Sequence, residues 1–361
     1  MRGVRRHRDA ASRASEASGG QDKKRGSEVK GSKMKKVTFG LALCAMLYAL
    51  CFSAQAQQPT RVPRIGYLAI SSRSTSPTRI EAFRRGLREL GYVEGKNIVI
   101  EWRSGEGKSE RVPALADELV RLKVEVIVTG GPGSTRPAME ATKTIPIVMA
   151  QADDPVAEGF VASLARPGGN ITGLSNLDSE LSGKRLELLK EIVPRLSRAA
   201  VFGGSMYPAK GPSLKEVELA AEALGVRLQH VEILDPKDIE PAFRTAVTWR
   251  AHALLMLIGG PILNSHGKQI VDLAAKSRLP AIYERPNDVQ AGGLVSYSAD
   301  IDDLYRRAAT YVDKILKGRK PADLPVEQPV KFEFIINLKA AKQIGLTIPP
   351  SVLARADRVI R

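Results

Sequence analysis

The sequence predicts an α/β protein of two doubly wound parallel-sheet lobes, and three observations carry that expectation. Short apolar, β-branched runs alternate with amphipathic helical patterns from residue 64 to 174, the arrangement that gives a parallel sheet with crossover helices. The same alternation restarts at residue 181 and runs to 298. Within the first run lies one sharply punctuated unit, V-E-V-I-V-T-G-G-P-G-S-T-R-P-A-M-E-A-T-K-T-I-P-I-V-M-A-Q-A-D-D-P at 124–155. Residues 124–129 read as a buried strand, Gly130, Gly131, Pro132 and Gly133 as a turn, and the stretch to Thr144 as a helix with Pro137 in its first turn. A second strand at 145–150 closes a βαβ unit. Ligands in such sheets bind beyond the carboxyl ends of the strands. Here those ends carry residues 129–135 and 151–155.

In chain order, a strand at 64–70 ends in the polar loop 71–77. A helix at 79–90 follows, with Ile80, Phe83, Leu87 and Leu90 on one face and Gly91 as its stop. A strand at 97–102 and a helix at 112–122 precede the central unit. After it come a helix around 156–165, the turn R-P-G-G-N at 166–170 and a strand at 171–174. The second lobe reads helix 181–193, strand 199–203, helix 213–224, strand 226–233, helix 238–247, strand 252–258, helix 264–278, then short strands at 280–283 and 293–298. Its size resembles that of the first, as in an architectural repeat. A long helix at 300–316 stops at Gly318. A Pro-rich connector at 319–329, a strand at 331–336 and a helical tail interrupted by Pro349-Pro350 complete the chain.

The first 33 residues hold ten Lys/Arg and four Asp/Glu without an aromatic, Leu or Ile, so they cannot bury a core and are read as disordered or not translated. Met34-Lys35-Lys36, the uncharged run 37–52 and Ser53-Ala54-Gln55-Ala56 have the order of a secretory signal peptide at 34–56, cleaved after Ala56. The apolar run has 16 residues, short of the roughly 20 needed to span a bilayer. Cys44 and Cys51 both lie inside it, which leaves the mature chain without thiol chemistry. Removing residues 1–56 takes away 12 basic and 4 acidic residues, so the net charge falls from +16 to +8. A charge that cleavage halves is poor support for nucleic-acid binding, and no nucleic-acid partner is expected. Cofactors and metals are not expected either: His230, His252 and His266 lack metal-ligand spacing.

G-Y-V-E-G-K-N-I at 91–98, D-D-P-V at 153–156, R-P-G-G-N-I-T-G at 166–173 and L-K-G-R-K-P-A-D-L-P-V-E-Q-P at 316–329 resemble the extracytoplasmic substrate-binding proteins of ABC transporters. The resemblance is to the branch that includes tryptophan- and tyrosine-type binding proteins, and it covers nearly the whole mature chain. It implies a type I periplasmic binding protein-like fold, with hinge strands that cross between lobes more than once and a ligand in the cleft. The lobes would be 62–175 with 299–318, and 178–296 with about 330–361. It also implies a monomeric periplasmic receptor that hands a small polar or amino-acid-like solute to membrane permease subunits. No lipoprotein cysteine signal is present, since both cysteines follow a leucine.

The candidate ligand contacts are strand-end residues. Ser71 and Ser72 follow the first strand. Gly131 lets backbone approach a ligand, and Ser134 and Thr135 stand at a helix N-terminus that favours an anion; the competing reading is that they only cap the helix. Asp154 reads first as a cap before Pro155 and second as a partner for a ligand amine. Ser205, Tyr207, Tyr283, Glu284 and Tyr297 end strands of the second lobe. G-G-S-M-Y at 203–207 resembles a nucleophile elbow without its final glycine. An exported α/β hydrolase is therefore the alternative function, but no nucleophile, base and orienting acid stand together in the sequence, and no catalytic residue is assigned.

Overall fold

Twelve strands and eleven helices are found among residues 62–74, 77–203, 211–257 and 260–361, the residues that the computed structural model describes. The first sheet has the order β2-β1-β3-β4-β5 and is parallel throughout. Its strands are β1 (Arg64–Ala69), β2 (Val99–Ser104), β3 (Val126–Thr129), β4 (Ile147–Met149) and β5 (Ile171–Gly173). The four residues of β3 are all buried, as expected for a central parallel strand covered on both faces. Helices α1 (Pro77–Glu89), α2 (Val112–Arg121) and α3 (Pro132–Ala141) make the crossovers.

The second sheet joins β6 (Arg198–Gly203), β7 (Arg227–Glu232), β8 (Ala253–Leu257), β9 (Ala281–Tyr283), β10 (Val295–Ala299), β11 (Phe332–Asn337) and β12 (Arg358–Ile360) in the order β12-β11-β10-β9-β8-β6-β7. Its helices are α4 (Asp178–Ile192), α5 (Gly211–Leu224), α6 (Ile239–Thr248), α7 (Gly260–Lys276) and α8 (Pro286–Gln290). After β10 the chain forms α9 (Ile301–Leu316), and after β11 it forms α10 (Leu338–Ile344) and α11 (Pro350–Leu353). β11 runs antiparallel to β10 and β12 parallel to β11, so both oppose the rest.

Four buried apolar clusters cover the four sheet faces. In the first sheet, Phe83 and Leu87 of α1 and Leu304, Tyr305, Tyr311 and Val312 of α9 pack with Ile65, Tyr67 and Val128. Leu119 of α2 and Ala138 of α3 pack with Leu68, Ile127 and Met149 on the other face. In the second sheet one face takes α4, α5, α10 and α11, and the other takes α6, α7 and α8. Helix α9 therefore follows a strand of the second sheet yet closes the core of the first.

The chain passes between sheets three times, and these passages are tied together. Leu174 bridges Glu327: the Ser175 amide donates to the Glu327 carbonyl at 2.9 Å and the Glu327 amide to the Gly173 carbonyl at 3.0 Å. The Asp300 amide donates to the Lys331 carbonyl at 3.0 Å. Asp300 also caps α9, its carboxylate accepting the Asp303 amide at 3.0 Å.

Four sequence expectations are corrected. The helix around 156–165 is a turn at 155–159. Gly159 adopts φ +71° and the Phe160 amide folds back to the Pro155 carbonyl at 2.9 Å, a left-handed C-terminal closure one turn after the start. The lobes are not a simple repeat, since the second sheet has two reversed strands. Its last strand, β12, lies in the tail that reads as helical, and α8 occupies a stretch where the sequence suggests none.

Candidate functional site

The carboxyl ends of the two sheets meet around the first crossing. Arg185, on α4 and wholly buried, sits among charges from both. Its Nη2 donates to Asp178 Oδ1 at 2.5 Å, its Nη1 lies 3.8 Å from Glu284 just beyond β9, and its Nε donates to the Tyr297 carbonyl of β10 at 2.8 Å. Burial lowers its pKa, but Asp178, Glu284 and then Asp153, beyond β4, raise it further, for a net upward shift. One guanidinium thus feels the ends of a strand from each sheet. Asp153 is tied to the first crossing by the Asn176 side chain, whose Nδ2 donates to Asp153 Oδ1 at 2.9 Å.

The glycine turn after β3 is held from within. The Gly130 amide donates to Ser134 Oγ at 3.1 Å, and that hydroxyl donates to the Gly131 carbonyl at 3.0 Å. Thr135 Oγ1 donates to the same carbonyl at 3.0 Å and pairs with Thr129 Oγ1 at 2.7 Å. Both side chains are buried, so these hydroxyls staple the glycine turn; neither acts as an N-cap, since the start of α3 carries no side-chain cap bond. Gly131, at φ +132°, precedes α3, a conformation that disfavours any other residue. Thr135→Val is accordingly expected to cost about 1 kcal/mol of stability, read as a lower urea midpoint with unchanged slope.

Asp154 likewise acts as a cap: its Oδ1 accepts the amides of Val156 at 3.2 Å and Ala157 at 2.9 Å. The neighbouring Glu158 is the titratable group of interest. Burial, and then the Asp153 carboxylate, push its pKa from 4.5 up to about 7. The folded protein therefore holds a proton there that the unfolded chain releases between about pH 4.5 and 7. Stability from this group is complete below pH 4.5 and is lost as pH rises through 7. Glu158→Gln is expected to flatten that part of the pH–stability curve, as measured by thermal melts across pH 4 to 8.

In the first loop, Ser72 Oγ pairs with Ser74 Oγ at 2.8 Å and the Ser71 carbonyl accepts from Ser104 at 3.0 Å. In the second lobe Tyr283 is a core residue, 1% exposed. Although it ends β9, its ring packs within 3 Å of where a Cβ on Gly293 would stand, inside the core cluster that α7 covers, so the ring is enclosed in the core. Tyr297 is half-buried and stacks on Phe332 with ring centres 6.0 Å apart. Glu284 stays beside Arg185. Ser205 and Tyr207 lie outside the described residues.

The structure also brings forward residues that the sequence did not single out. Gln151 follows β4 with its Oε1 buried and unpartnered, and its amide nitrogen would lie 3.4 Å from a Cβ on Gly131. Arg79, in the first turn of α1, lies over the Tyr305 ring at 5.9 Å. Gln151 falls in the 151–155 strand end that the sequence marks, with nothing local to set it above its neighbours; Arg79 has no local signal, since Tyr305 is brought to it by the fold. No group of three or more His, Cys, Asp or Glu that could hold a metal is found among the described residues.

Comparison with known proteins decides the family. A family model described as ABC transporter substrate binding protein matches residues 66–360. The chain belongs to that family. This substrate-binding protein is 26% identical over 266 residues to the tyrosine-binding protein of Clostridioides difficile, covering 74% of this chain and 76% of the relative. A crystal structure from Streptococcus pneumoniae, an ABC domain in complex with L-Trp, is 28% identical with a TM-score of 0.75, over 82% of this chain and 99% of that one. A conserved domain protein from Vibrio cholerae is 26% identical with a TM-score of 0.76, over 83% of this chain and 100% of that one. No helix among the described residues is long and apolar enough to cross a membrane.

Proposed function

We propose that this substrate-binding protein is an extracytoplasmic receptor that captures one small amino-acid-like solute between its lobes and delivers it to an ABC permease. The observation that carries the reading is Arg185, which the carboxyl ends of a strand from each sheet approach, beside three tied crossings. Ligands of open α/β sheets sit beyond those ends, and a solute there touches both lobes at once. The names of the relatives, one a tyrosine-binding protein and one bound to L-Trp, favour an amino acid as the solute. The leader at 34–56 supports export to the periplasm, where such a receptor works as a freely diffusing monomer.

A ligand that touches both lobes favours the closed state by its differential affinity. The segments 174–179, 296–301 and 319–329 are where the chain passes between sheets, and they act as the hinge. Calorimetric titration with the L-amino acids, followed by small-angle scattering with the best binder, tests this. Stoichiometric binding with a smaller radius of gyration is expected. Binding with an identical radius in both states would refute closure, and no binding by any solute of this class would refute the ligand assignment.

A further inference from the structure

We infer that the amino end of the second sheet is a membrane-docking face that binds anionic phospholipid headgroups through Arg195, Arg198, Arg227, Arg250 and Arg278. The inference goes beyond the receptor reading and does not depend on the solute, which that reading places at the opposite, carboxyl ends of the strands. Arg198 and Arg227 open β6 and β7 and stand side by side in the register. Arg250 precedes β8, whose Ala253 pairs with Ala199, and Arg278 precedes β9, whose Ala281 pairs with Leu254. The four strands are parallel, so these arginines share one end of the sheet. With about 4.8 Å between strands, the row from Arg278 to Arg227 is about 14 Å long.

Arg195, Arg227, Arg250 and Arg278 are exposed. Among the described residues none of the five arginines has a carboxylate within 4.0 Å. Glu191, at the end of α4, is taken by Arg355, and Glu222, in the last turn of α5, pairs with none of them. Arginines on α1 are matched instead: Arg84, Arg85 and Arg88 reach Glu94, Glu89 and Glu81 at 2.8, 3.9 and 2.5 Å. Arg198 Nη2 donates to His252 Nε2 at 3.3 Å, while its Nε is buried without a partner. The carboxyl ends of α4, α5, α6 and α7 also point here, and cations there complement the helix dipoles. That accounts for only part of the charge. Four helix ends supply about half a negative charge each, about two in all, against five guanidinium groups.

Backbone conformation is an independent observation. Arg250 and Arg278 follow α6 and α7 at φ +57° and +53°, the left-handed closure that favours glycine or asparagine. After α5 the left-handed residue is Gly225, at φ +63°. Two exposed arginines thus stand where the backbone alone prefers a smaller residue. Trp249, beside Arg250, packs against the core that α6 covers, so this end offers charge without the buried aromatic anchor of a protein interface. A row of exposed cations suits a flat anionic surface, where each Lys or Arg contributes and no match of shape is needed. A receptor held there stays near membrane-embedded permease subunits and keeps its cleft free.

The test is co-sedimentation with vesicles of phosphatidylcholine, alone or with about a third phosphatidylglycerol. A chain beginning at Gln57 keeps every element of the fold and excludes the basic leader. It is expected to pellet with the anionic vesicles, to stay in solution with the neutral ones, and to be released by about 0.5 M NaCl. Arg250→Asn combined with Arg278→Asn suits the left-handed backbone, so the melting temperature should hold or rise. Its affinity for anionic vesicles should fall roughly 25-fold, about fivefold for each charge. Arg85→Gln combined with Arg88→Gln removes the same charge from α1 and should change that affinity less than about twofold. No binding to anionic vesicles would overturn the docking face. So would equal losses in the two double variants, since net charge alone would then be at work. Release by inorganic phosphate far more readily than by chloride at equal ionic strength would also overturn it, as the mark of a site for a single small anion. Each of these failures leaves the receptor reading intact.

Discussion

Arg185→Ala is expected to destabilise the protein by about 3–5 kcal/mol, the usual cost of removing one partner from a buried ion pair. The guanidinium is wholly buried, and its hydrogen-bond partners come from α4 and β10, with Glu284 beyond β9 as a second charge. Its loss leaves the Asp178 and Glu284 carboxylates close together without their common cation. It also removes the bond to the Tyr297 carbonyl, on the strand that leads into the second crossing. Pairing the change with Asp178→Asn should cost less than the sum of the two single effects, because both act on one cluster. Chemical denaturation reads both. A loss below about 1 kcal/mol for Arg185→Ala, the level of an exposed pair, would mean that the cluster is not a structural anchor.

Gly173→Ala is expected to be comparably severe, at about 3 kcal/mol or more. Gly173 ends β5 at φ +137°, and a Cβ there would stand 2.1 Å from the Met149 carbonyl oxygen of the neighbouring strand. The backbone conformation costs any other residue about 1–3 kcal/mol. The overlap adds a similar amount, and β4 is too well packed to yield. The damage falls at the start of the first crossing, where the Glu327 amide bonds the Gly173 carbonyl. Gly169→Ala, nearby in sequence but with open space around it, should be nearly neutral. Similar melting temperatures for the two variants would contradict the assignment.

Much of this fold is legible from local pattern. The V-I-V-T of β3 reads as a buried parallel strand because nothing polar interrupts it, and Asp300 before an amphipathic run announces α9. Asp154 before Pro155 announces a cap, but the length of what it caps depends on Gly159 turning left-handed. β12 is three residues long and gains its identity only from pairing with β11, so nothing local marks it. The site is less legible for the same reason. Ser134 and Thr135 look alike as ligand donors and as turn staples until the position of the Gly131 carbonyl is known. Glu284 and Tyr297 come to Arg185 from distant parts of the chain, and no spacing rule joins residues that only a completed sheet brings together.

The central claim is that the chain holds one small solute and gives it back unchanged. Mass spectrometry tests it most directly, on protein purified gently and then incubated with the amino acid that binds best. The account predicts one solute per chain under native conditions and, after denaturation, release of a molecule of the same mass as that supplied. Release of a cleaved or otherwise altered product, accumulating with time, would contradict it and point to an exported hydrolase.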